Sequence, residues 1–245
     1  MVARSLAAEL SMYVSDQTSF QIPAGLSPTL LDHIDIQATS SGYLEFSIDD
    51  WAIAQWLTCL TQPTTPLFAF ADLPACPAKR SHPSLFSIQH AHARCCSLIR
   101  LAAQQQIIGL NWQEQPAQWQ WAQPDSISWL TPISGLPSEQ QFWVSHASER
   151  QLINQCLTVF DELPWQGAIL PENTQDLSLK PSRITALAQN LAGAFSTMHR
   201  HCQIWGSLAT EGRDRQTAHL AMILVTQRLL CGLLTGLGVI APDEL

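Results

Sequence analysis

The stretch Ile88-Gln-His-Ala-His-Ala-Arg-Cys-Cys-Ser-Leu-Ile-Arg-Leu-Ala102 decides the fold of this chain. Its apolar residues recur every three or four positions, which is the spacing of one buried face of an α-helix. Arg94 and Arg100 lie on the flanks of that apolar stripe. The run therefore predicts an amphipathic helix packed against other helices. The residues of the stripe are Ile88, Ala91, Cys95, Leu98, Ile99 and Ala102.

Cap and breaker residues divide the C-terminal part of the chain into four predicted helices. Serine, proline and glycine at the ends of helically spaced apolar runs indicate where a helix begins and ends. The last of the four is apolar on most faces, so we expect it at the centre of a bundle. The predicted bounds are Pro83-Ser84 to Gly109, the capping box Ser148-Glu-Arg-Gln151 to Pro164, Pro181-Ser182 to the neighbourhood of Gly206, and about Arg213 to Leu237.

The region before residue 60 has the alternating pattern of β-strands. Apolar and polar residues alternate on both sides of Ser40-Ser41-Gly42, which predicts two strands joined by a turn. Asp49 or Asp50 is placed to cap a helix that follows. The predicted fold class is therefore mainly α, a helical bundle with a small N-terminal α+β appendage. The apolar strand positions are Ile34 and Ile36, then Tyr43 or Leu44, Phe46 and Ile48.

Two further segments complete the predicted organisation. Residues 61–83 form a Pro-rich linker, and residues 110–144 form an insertion in the bundle domain, which spans 84–245 and follows an N-terminal domain of 1–60. The insertion carries five of the nine tryptophans, and Trp119 and Trp121 share a face if their segment is a short hairpin. Three roles stay open for these indoles: packing over the bundle as a lid, stacking on bases, or forming a protein interface.

The core of the first helix, residues 89–100, closely resembles the opening helix of the DALR anticodon-binding domain of arginine–tRNA ligases, which are class I aminoacyl-tRNA synthetases. That helix carries Gln-(aromatic)-Ala-His-(small)-Arg followed by Cys-Ser-(aliphatic)-(aliphatic)-Arg. Residues 187–202 are similar to a family helix containing Leu-Ala-x-Ala-Phe. Residues 219–245 resemble the family's C-terminal helix and its Ala-Pro-Glu tail. The resemblance implies an anticodon-binding-type bundle over residues 88–245.

The catalytic signatures of the ligases do not occur in this sequence. It has no His-x-Gly-His turn, no Gly-rich phosphate loop and only two lysines, Lys79 and Lys180. We therefore expect a stand-alone protein without the ligase's catalytic core, with no catalytic residue, no cofactor and no enzymatic activity. The strand–turn–strand–helix piece is similar to the end of the family's N-terminal tRNA-elbow domain. There the family has an asparagine where this chain has Glu45.

The resemblance also implies candidate contacts with tRNA. In relatives, the anticodon loop lies against the start of the first bundle helix and against the C-terminal helix with its tail. Arg94 has a competing role, because its position between apolar stripes also suits a bridge between helices. His92 matches the family histidine and is expected to be a buried, hydrogen-bonded structural group. The candidates are His90, Arg94, Arg228 and Leu245 on the anticodon side, and Tyr43 and Glu45 on the elbow side.

Composition and charge narrow the range of functions. The net charge of −8 is opposite to the concentrated positive charge typical of strong nucleic-acid binders, although a folded tRNA groove tolerates an acidic total. Seven cysteines without a Cys-x-x-Cys pair are typical of reduced thiols, which indicates a cytoplasmic protein. No uninterrupted apolar run approaches the roughly 20 residues that span a bilayer, so we expect no membrane partner. Histidines two residues apart on a helix point in different directions, and we expect no metal.

Three functions from different classes follow. The first is a tRNA-binding module that acts as an adaptor or accessory factor, with arginine isoacceptors as its expected tRNA. The second is a protein–protein scaffold that kept the fold and lost RNA binding, with the Trp-rich insertion as the surface for a protein partner. The third is an accessory subunit of an arginine–tRNA ligase that acts in trans.

Overall fold

The computed structural model describes residues 33–39, 43–61, 83–111, 119–124, 126–133, 136–143, 146–162, 180–206 and 212–244. The backbone separates into two compact units. The N-terminal unit contains the described residues up to Leu60 together with Leu130–Phe142. The bundle unit contains the described residues of Thr61–Trp129 and of Trp143–Leu245. The chain is mainly α, as the sequence predicts.

The N-terminal unit opens with the predicted strand pair and helix. Strand β1 (Ile34–Ala38) pairs antiparallel with β2 (Leu44–Ile48), and Ile36 lies opposite Phe46. Because cross-strand partners share a face, the apolar residues gather on one side of the sheet and the polar residues on the other. Helix α1 (Asp50–Thr61) follows, and the Asp49 carboxylate caps it by accepting the Ala52 N–H at 2.8 Å. The connection through Gly42 lies outside the described residues.

Four helices form the bundle unit: α2 (Pro83–Gln104), α3 (Ala147–Glu162), α4 (Pro181–His201) and α5 (Arg213–Gly236). Helix α5 packs against each of the other three, and almost all of its residues are buried. It is therefore the central helix, as its apolar sequence predicts. By length and composition it is also the one described helix that could cross a bilayer, but 94% of its apolar window is buried within the protein.

The core of the bundle follows the predicted helical stripes. All six apolar residues that define the stripe of α2 are buried. On α4, the buried residues recur at helical spacing and face α2, α3 and α5, the three helices that pack against α4. Burying such side chains is the main favourable contribution to folding, at about 1.5–3 kcal/mol for each large aliphatic or aromatic group. The largest of them on α4 are Leu187, Leu191, Phe195 and Met198.

The start of α3 differs from its predicted capping box. Ser148 is not the cap but the second helical residue, and the cap is His146. The Ser148 N–H donates to His146 Nδ1 at 3.2 Å, while the Glu149 carboxylate accepts the His146 N–H at 2.8 Å. This is the reciprocal geometry of a capping box with histidine in place of serine or threonine. Sequence reasoning missed it because histidine is not among the common cap residues.

The end of α2 also differs from the prediction, which placed it at Gly109. The helix ends at Gln104, and Gln106 adopts the left-handed conformation with φ 56°. The N–H groups of Gln106 and Ile107 then donate to carbonyls of the last turn at 3.0 and 2.9 Å, which is a Schellman ending. Arg213 adds a donor to the Gln106 carbonyl at 2.5 Å. A glycine normally occupies this position, so a glutamine there does not indicate the end of the helix.

The insertion contributes two hairpins. Strand β3 (Gly109–Asn111) pairs with β4 (Gln120–Gln123) in the bundle unit, and β5 (Leu130–Ile133) pairs with β6 (Leu136–Phe142) in the N-terminal unit. Gly109 is required in β3 because a Cβ there would lie 2.9 Å from the Cβ of Gln123. Three described tryptophans are buried, which confirms the packing interpretation for them, whereas Trp112 lies outside the described residues. The three are Trp119, Trp121 and Trp129.

We predict that Gln106→Gly stabilises the protein. Glycine adopts the left-handed conformation without the Cβ penalty, so the free energy of unfolding should rise by about 0.5–1 kcal/mol. The matched control is Gln104→Gly, which places glycine in the right-handed last turn and should cost about 1 kcal/mol. Urea unfolding followed by circular dichroism measures both. A Gln106→Gly variant that is less stable than the parent would contradict the assigned helix end.

Candidate nucleic-acid interface

One face of α2 is exposed at the end where the helix begins. Phe86, His90 and Arg94 are spaced by four residues, so they project from the same side of the helix. Phe86 is 61% exposed, His90 and Arg94 are exposed, and the rings of Phe86 and His90 lie 6.2 Å apart. The face thus combines an aromatic ring, an imidazole and a guanidinium. These are groups that stack on unpaired bases and bind phosphates.

The C-terminal tail, residues 237–244, is held along α2 by side chains of that helix. Its backbone carbonyls accept hydrogen bonds from a glutamine, a histidine and an arginine, so the tail has a fixed place on the bundle. The carbonyl of Ile240 is held by Gln89, and its apolar side chain is 82% exposed. We call Phe86, His90, Arg94 and Ile240 the α2–tail face. The bonds are Gln89 to Ile240 O (3.0 Å), His92 to Pro242 O (2.7 Å) and Arg100 to Asp243 O (2.9 Å).

His92 is the buried centre of this attachment, as the sequence predicts. Its Nδ1–H donates to the Pro242 carbonyl, and its Nε2 accepts the Gln227 amide N–H at 2.9 Å. Both nitrogens are therefore satisfied by the neutral ring. Burial lowers the pKa of His92, although the Pro242 carbonyl and the Asp243 carboxylate oppose that shift. The neutral histidine thus joins α2, α5 and the tail.

Arg94 is exposed and extends toward α4. Its Nη2 lies 3.4 Å from His199 Nε2, and it forms no ion pair with a described carboxylate. Burial lowers the pKa of His199, and the charge of Arg94 lowers it further. Arg94 therefore contacts a second helix, as the bridging interpretation suggested, and no carboxylate in the described part of the chain neutralises its charge. Arg100 differs, because it is paired with the Asp243 carboxylate and lies 5.2 Å from the Trp119 ring.

Arg228 and Leu245, the other anticodon-side candidates, do not join this face. Arg228 is buried in α5, and its Nη2 donates to the Trp119 carbonyl at 2.6 Å. Burial lowers the pKa of its guanidinium to about 10. This hydrogen bond attaches the insertion to α5. A contact between Arg228 and RNA stays a prediction. Leu245 lies outside the described residues.

The elbow-side candidates lie in the N-terminal unit. Tyr43 is 74% exposed. Its backbone forms hydrogen bonds with Thr39, next to the paired strands β1 and β2. Glu45 is exposed on the polar face of the sheet, opposite Gln37. An exposed tyrosine is free to stack, and a carboxylate beside it repels phosphate. Both roles stay predictions.

Sequence reasoning missed Phe86 and Ile240 as parts of the α2–tail face, and it missed His199 as the neighbour of Arg94 on α4. Phe86 and Ile240 are apolar, and apolar residues near helix ends are usually assigned to a core. Their exposure emerges only when the helix phase and the path of the tail are known. His199 lies 105 residues from Arg94, so only packing of α2 against α4 brings the two together.

The fold and this face define the class of the protein: a four-helix bundle that presents its first helix and its C-terminal tail as one surface. The DALR anticodon binding domain matches residues 88–245, which is more than half of the chain. The chain belongs to the DALR anticodon-binding domain family. The matched region begins at the buried stripe of α2 and includes α5 and the tail.

Arginine–tRNA ligases are similar to this chain. The enzyme of Gloeobacter violaceus is 27% identical over 71% of this chain and 24% of its own length. That of Shouchella clausii is 26% identical over 78% of the chain and 27% of the ligase, and that of Heliobacterium modesticaldum is 24% identical over 71% and 25%. The chain thus spans about a quarter of the length of these relatives. No solved structure matches the chain significantly.

We predict that stability falls on mild acidification partly through His92. Because the folded-state pKa of His92 lies below its ordinary value of 6.5, the unfolded chain binds that proton first as the pH falls. The contribution of neutral His92 to the free energy of unfolding is therefore complete above about pH 6.5 and is lost as the pH decreases through the folded-state pKa. The free energy of unfolding falls by at most about 1.4 kcal/mol per pH unit from this cause. His92→Asn keeps a donor near Nδ1 and does not titrate there.

Urea unfolding at several pH values between 7 and 5 tests this prediction. The free energy of unfolding of the parent should fall more steeply than that of His92→Asn. The control is His90→Asn, which removes an exposed histidine from the same helix and should leave the parental slope unchanged. Parallel curves for the parent and His92→Asn would show that His92 is not the depressed group.

Proposed function

We propose that this protein is a non-catalytic tRNA-binding module that contacts tRNA through the α2–tail face. The proposal is supported by the family match over residues 88–245, which covers the tail and α2 from Ile88 onward, and by the aromatic ring, the imidazole and the guanidinium that α2 exposes. The similar full-length proteins are arginine–tRNA ligases. Arginine isoacceptors are accordingly the first tRNAs to test, and the cytoplasm is the expected location.

The chemistry of the face suits a single-stranded loop. Phe86 and His90 offer flat surfaces on which unpaired bases stack, and each stacked base is worth about 1–3 kcal/mol. Ile240 extends the apolar area from the tail. Arg94 supplies a cation for a phosphate, and it is not neutralised by a described carboxylate. Because stacking contributes to affinity without a large positive patch, a chain with a net charge of −8 can still bind RNA in this way.

The overall acidity has a consequence for affinity. The number of phosphates that basic groups neutralise sets how steeply binding weakens with salt. Arg94 is the cation of the α2–tail face, whereas Arg100 is already paired with the tail. We therefore infer a modest salt dependence, smaller than that of proteins that neutralise six to ten phosphates.

We predict that Arg94→Ala weakens tRNA binding by about 1–3 kcal/mol without unfolding the bundle. The side chain is exposed, so its removal leaves no cavity. The control is Arg183→Ala, which removes one positive charge from the start of α4, 16 residues and about 24 Å along the helix from His199. Arg183 is paired with the Glu162 carboxylate, so the stability of this variant is checked by urea unfolding. Fluorescence anisotropy with labelled tRNA, at two salt concentrations, measures the affinities.

The outcomes separate the candidate functions. Binding by the parent and by Arg183→Ala, with weaker binding by Arg94→Ala, supports the α2–tail face. Equal binding by all three would remove this face from the contact. No binding by the folded parent would favour the scaffold function.

We predict no arginine-dependent exchange between ATP and pyrophosphate by the purified chain. The ligases' phosphate-binding signatures do not occur in its sequence, so we expect the chain not to hold the triphosphate in a reactive position. Radiolabelled pyrophosphate, incorporated into ATP in the presence of arginine and tRNA, is the measurement. Incorporation above that of an identically purified unrelated protein would contradict the non-catalytic proposal.

A protein–protein scaffold is the second candidate function. Strand β2 exposes Phe46 and Ile48, and Tyr43 lies just before it, so three large apolar side chains meet solvent on one short segment. Exposed apolar surface of this kind is typical of protein-binding sites. The third candidate, an accessory subunit of a ligase acting in trans, predicts that the chain raises the activity of a separate arginine–tRNA ligase.

A further inference from the structure

Three potential metal ligands meet where α3, α4 and α5 come together. Glu149 lies in the first turn of α3, Cys202 directly follows α4, and His219 lies in α5. The ligand atoms all lie within 4.8 Å of one another, and all three residues are buried. Their separation in the sequence, 53 and 17 residues, follows no known metal-binding spacing, so only the fold brings them together.

The hydrogen bonds of His219 fix which nitrogen faces the cluster. Nδ1 lies 2.8 Å from the Arg215 carbonyl oxygen, which only accepts, so Nδ1 carries a proton. Nε2 therefore directs its lone pair at the Glu149 carboxylate when the ring is neutral, and Nε2 contacts Oε1. Two acceptors in contact require a cation between them. A histidine whose second N–H is anchored on a backbone carbonyl is the usual arrangement of a metal ligand.

The carboxylate is prepared for the same role. Glu149 Oε2 accepts the His146 N–H at 2.8 Å, which holds the side chain in one orientation and favours its ionised form. Oε1 thus remains directed at the cluster.

Cys202 makes the cluster more than an ion pair. Its sulfur lies 3.8 Å from the Ser148 hydroxyl, at the edge of the cluster. An imidazole nitrogen, a carboxylate oxygen and a thiolate sulfur are together the ligand set of zinc and similar borderline-soft ions. Two anionic ligands and one neutral ligand also balance a divalent charge, as a buried site requires.

We propose that Glu149, Cys202 and His219 bind one divalent transition-metal ion of the zinc type, which joins α3, α4 and α5. On binding, the Cys202 sulfur exchanges its proton for the metal, and the proton passes to solvent. Water or the Ser148 hydroxyl completes a tetrahedral set. The metal would have a structural role, because it would connect the end of α4 to α3 and α5.

Cobalt(II) is the probe that tests the site. The purified full chain, stripped with a chelator and shown by circular dichroism to be folded, is titrated with Co²⁺. We expect one ion per chain, with the thiolate-to-cobalt charge-transfer absorption that sulfur ligation produces. Zinc should bleach this absorption, because an ion with a filled d shell loses nothing in tetrahedral coordination and displaces cobalt from sulfur-containing sites. It should also raise the unfolding temperature.

A pair of cysteine variants tests whether Cys202 provides the sulfur ligand. Cys202→Ser should abolish the charge-transfer absorption and weaken binding by at least about tenfold, since even loss of an outer-shell partner costs about 10–100-fold. Cys156→Ser is the control, because this thiol is buried in α3 outside the cluster. It should retain the absorption. X-ray absorption at the zinc edge of the parent, which needs no variant, should find one sulfur among nitrogen and oxygen ligands.

Either of two results would overturn the proposal. The first is a folded parent that binds no stoichiometric Co²⁺ or shows no sulfur ligand. The second is a Cys202→Ser variant that keeps the charge-transfer absorption. The cation between Glu149 and His219 would then be a proton alone, and the pair would be an ordinary buried ion pair.

Discussion

The burial of α5 is the constraint on which the rest of the bundle depends. A helix surrounded by protein leaves water no access to its polar side chains, so each of them needs a partner from a neighbouring element. Four polar residues of α5 meet this requirement in four directions. Gln227 bonds His92 of α2, Arg228 bonds the Trp119 carbonyl of the insertion, His219 bonds Glu149 of α3, and Gln216 bonds the Ile204 carbonyl after α4. Burial of apolar side chains stabilises the bundle, and these four hydrogen bonds determine which element packs against each side of α5.

This arrangement also produces the α2–tail face. His92 uses one nitrogen for Gln227 and the other for the Pro242 carbonyl, so a single buried imidazole positions the tail relative to α2 and α5. With the inner side of α2 committed to α5 and the tail, its outer side carries Phe86, His90 and Arg94 to solvent. The proposed function therefore depends on the rotational orientation of α2, which its packing against α5 and the tail determines.

Most of the fold was predictable because it follows from local periodicity. The starts of α2 and α4, the bounds of α5, the paired strands and the Asp49 cap were all read from apolar spacing and cap residues. The errors fall where an uncommon residue takes a standard role: His146 as a helix cap and Gln106 in the left-handed conformation. Arg228 illustrates the other limit. Periodicity placed Arg228 on an apolar helix but could not show that its guanidinium donates to a backbone carbonyl. The cluster of Glu149, Cys202 and His219 brings together residues that are 17 to 70 positions apart in the sequence, which no local pattern reveals.

The proposed function requires that RNA contacts the α2–tail face, whose tail His92 attaches to α2 and α5. The most direct test is nuclear magnetic resonance of the ¹⁵N-labelled chain during titration with unlabelled arginine tRNA. If tRNA binds the α2–tail face, the backbone amide signals of α2 from Phe86 to Arg94 and of the tail around Ile240 should shift or broaden first, while those at the start of α4 near Arg183 should not. Changes confined to β2, or no changes at any tRNA concentration, would contradict it.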